Sequence, residues 1–406
     1  MSKNMNKIGI IAEYNPFTNG HKYQLDYAKD ELDADCTIIA MSGSFSQRGE
    51  ACIFDKYTRV NCALINGADI ILELPAFYSC SSATDFAEGA VNLLHKAGIN
   101  GLLFGVESGN NELFKQVAKS LLDLENDPNF ISELNSTQKN GVSFASSYYQ
   151  AASKLLDIDS SFFLNSNNIL GIEYCKAIIK NNYDISINCL QRKGSNYNDE
   201  SLQTSFSSAS AIRKIINENN YINTSDLKKY IPQNTFEIIN NATIISENDI
   251  SDILHYALIS NKSYEDFYDC SESISNSIKK HLNTYIDFNS FAETISSKTL
   301  SISRAKRILT HILLNIHTSD VQMQKDLDYI TYIRILGFSK NGSQYLKDIK
   351  ASNNLPIISS PSEFKNNDIC FNADIHSSDI HRLLETKKTG ESTNNEFTRK
   401  NTLINI

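Results

Sequence analysis

Residues Lys7–Tyr23 have the sequence KIGIIAEYNPFTNGHKY, in which an apolar run, a turn and an amphipathic segment follow one another. Lys7–Ala12 is short and rich in β-branched residues, which predicts a buried strand. Asn15-Pro16 predicts a turn, and apolar residues after Gly20 recur at a loosely helical spacing. This order predicts an anion site, because a helix begins with unpaired N–H groups and the positive end of its dipole. An ordinary strand-to-helix connection with a capping histidine is the alternative.

Apolar runs and helical stretches alternate through residues 7–105. The further runs are Cys36–Met41, Asp69–Leu74 and Gly101–Gly105. Residues 55–66 and 83–97 have helical periodicity, and this alternation predicts an α/β fold with a doubly wound, Rossmann-like parallel sheet. Tyr183–Leu190 predicts another strand and Ser208–Asn219 another helix. Ligands of such sheets bind beyond the carboxyl ends of the strands, so the loops that follow these strands are expected to meet at one site.

Composition narrows the class of protein. The chain has 406 residues, of which 41% are hydrophobic and 21% charged, and this is typical of a soluble globular protein. No apolar run approaches the roughly 18–20 residues of a membrane helix, so a cytoplasmic protein without membrane contact is expected. The eight cysteines include no CxxC pair, and no metal site is predicted. A net charge of −9 argues against coating of nucleic acid by bulk charge, although a local basic face remains compatible with it.

The first stretch also carries a family resemblance. Thr18-Asn19-Gly20-His21 resembles the HxGH signature of nucleotidyltransferases, and AEYNPFTNGHKY resembles the tRNA(Met) cytidine acetate ligase family, whose usual form is AEYNPFHNGH. Thr18 stands where the family has its first histidine, and threonine cannot carry a positive charge. The resemblance implies catalytic roles for His21 and Thr18. It implies ATP contacts at Ile10, Ile11, Ala12, Glu13, Tyr14, Asn15, Pro16, Phe17, Asn19, Gly20, Lys22 and Tyr23.

The loop after the second strand, MSGSFSQRGE at residues 41–50, is rich in small residues and contains Arg48. By composition alone a flexible surface loop is the more common case. The loop and the DKYTR string at residues 55–59 resemble a second block of the same family, in which Asn is more usual at position 44 and Pro at position 52. The resemblance suggests that the substrate and the tRNA end enter here, with Gln47 and Arg48 as candidate contacts.

Three further segments follow or flank predicted strands. Gly105 ends the fourth strand, and an ordinary strand-ending glycine is the alternative to a nucleotide contact. Asn167 and Asn168 begin a predicted helix, where asparagine is commonly a cap. Arg192 and Lys193 follow the fifth strand, where a solvated basic turn is the alternative. The resemblance implies ATP contacts at Gly105, at one of the two asparagines and at the Arg192–Lys193 pair.

SSASAIRK at residues 207–214 resembles the second nucleotidyltransferase signature, the ISxTxIR type. Hydroxyl and N–H groups of Ser208 and Ser210 at a helix start are suited to phosphate, and Arg213 is suited to stabilising the leaving pyrophosphate. A serine-capped amphipathic helix is the alternative. Asn198 replaces a second histidine that is usual in the family.

The C-terminal part is predicted to be mainly helical, including the stretch Tyr329–Ile349. Residues 301–350 hold eight Lys/Arg against four Asp, and SISRAKRIL and YIRILGF resemble family segments. A basic face for tRNA phosphates is one reading, and a solvated helix face is the other. We predict a nucleotidyltransferase-like domain at residues 1–220, a linker at 221–249, an α-helical domain at 250–389 that is the candidate tRNA-binding part, and a polar, frayed tail at 390–406.

The resemblance implies an ATP-dependent ligase that uses acetate to form N4-acetylcytidine at the wobble position of elongator tRNA(Met). An acetyl-adenylate would be the intermediate, His21, Arg192 and Arg213 would stabilise charge, and Mg²⁺ would travel with ATP. Two alternatives stay open at this stage. One is an adenylyltransferase of a small phosphorylated metabolite, and the other is a catalytically weakened tRNA- or nucleotide-binding relative.

Overall fold

A computed structural model describes residues 5–139, 141–192, 206–219, 227–351, 354–399 and 402–404. Within these ranges eight strands form one sheet. The strands are β1 Lys7–Ala12, β2 Cys36–Ser42, β3 Ile70–Leu74, β4 Gly101–Val106, β5 Ser186–Gln191, β6 Ile333–Ser339, β7 Ile357–Ile358 and β8 Thr402–Ile404.

Helices separate these strands. The N-terminal α-helices are α1 Asn19–Asp30, α2 Lys56–Ile65, α3 Ala76–Ser79, α4 Ala83–Lys96, α5 Asn111–Leu124, α6 Pro128–Lys139, α7 Phe144–Leu156, α8 Ser166–Lys180 and α9 Ala209–Asn219. Those that follow are α10 Gln233–Ile239, α11 Ser251–Ser260, α12 Glu272–His281, α13 Phe288–Ile295, α14 Ile302–Leu313, α15 Thr318–Asp326, α16 Lys340–Ala351 and α17 Ile369–Thr389.

The strand order confirms the doubly wound parallel sheet. The order is β5-β4-β1-β2-β3-β6-β7, and β8 pairs with β6. Strands β1 to β5 pair in parallel, and the chain runs outward through β2 and β3 before it returns to the other side of β1 as β4. The order therefore reverses between β1 and β4, which is where such sheets bind ligands.

Both faces of the sheet are covered, which explains why its strands are almost continuously apolar. Along β2, Ile38 and Ala40 belong to one hydrophobic cluster and Ile39 and Met41 to the other, because side chains alternate across a strand. The first cluster includes residues of α4, α5, α8 and the C-terminal helices. The second includes residues of α1, α2, α9 and α10. The molecule thus has helical layers on both sides of the sheet.

Strand β6 corrects the predicted helix at Tyr329–Ile349. Ile333–Ser339 pairs antiparallel with β3, and α16 begins only at Lys340. A short apolar run such as IRILGF does not distinguish a buried strand from a buried helix by its periodicity. The C-terminal third therefore supplies strands to the same sheet as well as helices.

Two segments are more ordered than expected. In the described part of the predicted linker, α10 buries Phe236 and Ile239 against the cluster that contains α2. In the tail, Glu396 is 7% exposed and forms ion pairs with Lys56 and Arg334, so the expectation of fraying is wrong there. Buried apolar and ionic contacts hold both segments, and the domain boundaries stay a prediction.

Candidate active site

A cavity of about 740 Å³ lies at the carboxyl ends of β1, β4 and β5, beside the point where the strand order reverses. Its volume is within the range of about 300–1,000 Å³ that is usual for small-molecule sites. The predicted site residues that line it are Ile11, Ala12, Glu13, Tyr14, Asn15, Thr18, Gly20, His21, Tyr23, Gly105, Asn167, Arg192, Ser208, Ser210 and Arg213.

Other predicted residues lie elsewhere. Ile10 and Phe17 are buried in the core cluster that contains α1, and Pro16, the residue before Phe17, is also buried. On α1, the Asn19 amide donates to Lys229 O at 2.8 Å, and Lys22 lies 2.7 Å from Asp26. Asn168 is also buried away from the lining, and Lys193 lies outside the described residues.

His21 lies in the first turn of α1 and is held as a neutral ring. The backbone N–H of Thr18 donates to His21 Nδ1 at 3.0 Å, so the remaining ring hydrogen is assigned to Nε2. Burial, and then the charge of Arg192, lowers the pKa of His21 from 6.5 to about 3. The ring therefore carries no positive charge, and its free hydrogen-bonding group is the Nε2–H donor.

Thr18 precedes α1 and is only 3% exposed. Its hydroxyl lies 3.3 Å from His21 Nδ1, and its backbone N–H fixes the ring. Any residue except proline supplies that N–H group. The contact that orients His21 is thus independent of the histidine that the family has at position 18.

Arg213 joins the two signature segments. Its Nη1 donates to the backbone carbonyl of Asn15 at 2.8 Å, across the cavity from α9 to the turn after β1. Its Nη2 lies 3.4 Å from Ser210 Oγ and 3.8 Å from Glu50 Oε2. Ser208 Oγ accepts from the N–H of Ala211 at the start of α9, as a serine cap does, and a phosphate contact of this segment stays a prediction.

The two asparagines at the start of α8 have different roles. Asn168 is fully buried, and its amide accepts from Glu107 N at 3.0 Å and donates to Ser108 Oγ and Phe162 O. Asn167 lines the cavity and donates to Glu107. The geometry therefore favours Asn167 as the ligand contact, with Asn168 holding the chain after β4.

Gly105 and Arg192 form the part of the cavity wall above β4 and β5. Arg192 is exposed, and its backbone N–H donates to Val106 O at 2.9 Å. A Cβ atom on Gly105 would lie 3.4 Å from Arg192 Cγ. This is an ordinary van der Waals contact, so a side chain at position 105 fits beside Arg192 but takes up space in the cavity wall.

The loop at residues 42–50, which we call the platform loop, is held in place by hydrogen bonds and by packing against a helix. The alternative of a flexible surface loop is therefore wrong. Arg59, which is 1% exposed, donates to the carbonyls of Glu13, Ser42 and Gly43 and thereby ties the ends of β1 and β2 together. Gly49 has φ +79°, and a Cβ there would lie 2.5 Å from the Arg307 backbone N of α14. This loop brings Gln47 and Arg48 to the cavity.

Sequence reasoning missed the contributions of several helix faces to the lining. Ala83 and Phe86 come from α4, Tyr174 from α8 and Ser303 from α14. These residues have no motif of their own, and they reach the cavity only because of how the helices pack on the sheet.

Comparison with known proteins assigns the family. A family model described as HIGH Nucleotidyl Transferase matches residues 5–396. The tRNA(Met) cytidine acetate ligase of Thermoanaerobacter sp. (strain X514) is 38% identical over 392 residues, which cover 93% of this chain and 95% of that protein. The protein of the same name from Clostridium perfringens (strain ATCC 13124) is 36% identical, with coverages of 94% and 96%. The chain belongs to the tRNA(Met) cytidine acetate ligase family.

Solved structures agree with this assignment. The crystal structure of Thermotoga maritima TmcAL in its apo form I has a TM-score of 0.89 and 26% identity, and the match covers 99% of this chain and 100% of that one. Form II of the same protein, bound with alpha-thio ATP, has a TM-score of 0.87 and the same coverage. The resemblance inferred from AEYNPFTNGHKY is confirmed, as is the fold class.

The charges around the cavity of this family member are mainly positive. The lining cations are Arg48, Arg192, Arg213 and Lys214. Among the described lining residues, Glu13 is the only carboxylate. An excess of cations in a concave site attracts an anionic ligand such as a triphosphate.

Half of the eight cations in the predicted basic stretch at residues 301–350 are ion-paired, and tRNA binding by that stretch stays a prediction. Four of its cations form ion pairs with carboxylates: Arg304 with Asp269, Lys306 with Glu50 and Glu247, Lys325 with Asp85, and Arg334 with Glu73 and Glu396. Three exposed lysines, Lys340, Lys347 and Lys350, lie on α16. That helix meets the amino end of β1 through Asp348 and Lys7, at the opposite end of the sheet from the cavity.

The described residues offer neither a metal site nor a membrane-spanning helix. They contain no group of three or more His, Cys, Asp or Glu side chains that is placed to hold a metal ion. None of their helices is long and apolar enough to cross a membrane.

Proposed function

We propose that this chain is an ATP-dependent ligase that acetylates the N4 amine of the wobble cytidine of elongator tRNA(Met). The observation that carries the proposal is the hydrogen bond between Arg213 and Asn15, which brings both nucleotidyltransferase signatures to one cationic cavity. Relatives named tRNA(Met) cytidine acetate ligase, at 36–38% identity over most of the chain, support it.

In the first step an acetate oxygen attacks the α-phosphorus of ATP, and the bond from that phosphorus to the bridging oxygen of pyrophosphate breaks. The residues suited to this step are donors. His21 offers Nε2–H, the start of α9 offers N–H and serine hydroxyl groups, and Arg192 and Arg213 offer guanidinium groups. Fixed donors that face developing charge in a closed site typically supply most of the barrier reduction in such a displacement.

In the second step the cytidine amine attacks the carbonyl carbon of acetyl-adenylate. The new C–N bond replaces the C–O bond to AMP, and AMP leaves as a stable anion. The amine is a weak nucleophile, so alignment of the two reactants contributes strongly. The loop that holds Gln47 and Arg48 is the part of the lining suited to receive the tRNA end.

Mg²⁺ is proposed to arrive with ATP. Because the described lining has Glu13 as its only carboxylate, the ion would be held mainly by the phosphates and by water, as is common for Mg²⁺. A cytoplasmic location, where the tRNA substrate is found, stays part of this proposal.

A second candidate, a weakened nucleotide-binding relative, is favoured only by Thr18 at the position of a family histidine. The neutral state of His21 and its hydrogen bond to a backbone N–H argue that the site remains organised without that histidine.

The experiment is incubation of the protein with ATP, labelled acetate and tRNA(Met) transcripts, followed by nucleoside mass spectrometry. We expect N4-acetylcytidine at the wobble position, with AMP and diphosphate as products, and no label in a transcript with uridine at that position. Release of diphosphate that ignores acetate but requires another acceptor, with the AMP moiety transferred to that acceptor, would favour the metabolite adenylyltransferase.

A further inference from the structure

Glu13 follows β1 directly and has a distinctive place in the cavity. It is the only carboxylate among the described lining residues, in a wall that otherwise carries four cations. A carboxylate beside a triphosphate opposes the binding of that ligand. Attraction of ATP therefore does not explain why a carboxylate lies in this wall, and we expect Glu13 to have another function.

Two hydrogen bonds fix Glu13 on the side of the platform loop. Its Oε1 accepts from the backbone N–H of Gln47 at 2.8 Å, and its main-chain carbonyl accepts from Arg59 at 2.7 Å. Within the described part of the chain, Oε2 has no hydrogen-bond partner. One carboxylate oxygen thus positions the side chain, and the other can accept a proton.

Other side chains near this position are unsuited to accept a proton. His21 Nδ1 is occupied by the N–H of Thr18, so the ring presents a donor to the cavity. Burial raises the pKa of Tyr174 well above its usual range, which keeps that phenol protonated. Arg48 and Arg192 are cations, and they have no basic site to offer.

We infer that Glu13 is the general base of acetyl transfer, which deepens the proposed function and rests on it. As the cytidine amine forms its bond to the acetyl carbonyl carbon, a proton moves from that nitrogen to Glu13 Oε2. The electron pair of the former C–O bond leaves with AMP, which needs no proton at neutral pH. The Glu13 carboxylic acid then returns its proton to water. The adenylation step involves no proton on acetate, so it does not require this base.

The two half-reactions separate this role from the alternatives. Acetate-dependent ATP–pyrophosphate exchange measures adenylation, and single-turnover transfer from synthetic acetyl-adenylate to tRNA(Met) measures the second step. The variant is Glu13→Gln, because its amide oxygen can still accept from Gln47 N–H while its basicity is lost. The matched control is Glu31→Gln, an exposed position at the end of α1.

We expect Glu13→Gln to lower the transfer rate by about 100-fold or more, the usual contribution of a positioned base, while most acetate-dependent exchange is kept. Equal losses in exchange and transfer would overturn the inference and indicate a role in ATP or metal binding. Unchanged transfer would overturn it as well. Absence of acetate-dependent exchange in the wild type would instead refute the proposed function, and the inference would fall with it.

Discussion

Replacement of Glu396 by glutamine should destabilise the whole fold, although this residue lies ten positions from the end of the chain. Its carboxylate lies 3.3 Å from Lys56 Nζ, contacts Arg334, and accepts from the Tyr57 hydroxyl at 2.8 Å. Glu73 is the other carboxylate of this buried group. Lys56 and Arg334 share these two carboxylates as ion-pair partners, so the substitution leaves two buried cations with one ion-pair partner between them.

Two estimates give the size of the effect. Removing one partner of a buried ion pair typically costs about 3–5 kcal/mol. The cations Lys56 and Arg334, opposed by burial, lower the pKa of Glu396 from 4.5 to about 2, which corresponds to about 3 kcal/mol at 1.36 kcal/mol for each pKa unit. Because the folded pKa is the lower one, this stabilisation is complete above the unfolded value of 4.5 and is lost as the pH falls toward 2.

Urea unfolding at pH 7 measures the difference, with Glu391→Gln as the control, since Glu391 is an exposed residue of the same segment. We expect the free energy of unfolding of Glu396→Gln to be about 3 kcal/mol lower than that of the wild type at pH 7. Below pH 4.5 this difference in the free energy of unfolding should become smaller. A loss no larger than that of Glu391→Gln would refute the account of a buried ion-pair cluster.

Three further predictions concern the cavity. Arg213→Met should lower the rate of acetate-dependent ATP–pyrophosphate exchange by about 10²–10³-fold, as loss of one transition-state donor does, and an unchanged rate would remove Arg213 from the first step. The pKa of His21, about 3, predicts no titration of this ring between pH 5 and 8, which NMR of the histidine ring can check; a midpoint near 6.5 would contradict the neutral donor assignment. Thr18→His should increase turnover if loss of the family histidine weakened catalysis. The backbone contact to His21 predicts only a small gain, and a large one would favour the weakened-relative reading.

Much of the sheet was predictable because its strands are buried on both faces and are therefore almost continuously apolar. The predicted helix at residues 83–97 corresponds to α4 at Ala83–Lys96, and the predicted Ser208–Asn219 to α9 at Ala209–Asn219. The cavity was predictable for a related reason, since parallel strands bring the loops at their carboxyl ends together.

What could not be predicted depends on tertiary packing. Arg59 and Arg334 are each at most 2% exposed, although arginine is usually a surface residue. Backbone carbonyls, including that of Glu13, accept from Arg59, and the distant Glu73 forms an ion pair with Arg334. The choice between Asn167 and Asn168 depends on how α8 is rotated about its axis. Ser303 enters the lining only because α14 packs against the platform loop.

ATP–pyrophosphate exchange by the purified protein, with and without acetate, tests the central claim most directly. The account predicts exchange that requires acetate, because only acetyl-adenylate formation releases and recaptures pyrophosphate at this site. Exchange that is indifferent to acetate, or ATP binding without any exchange, would contradict it.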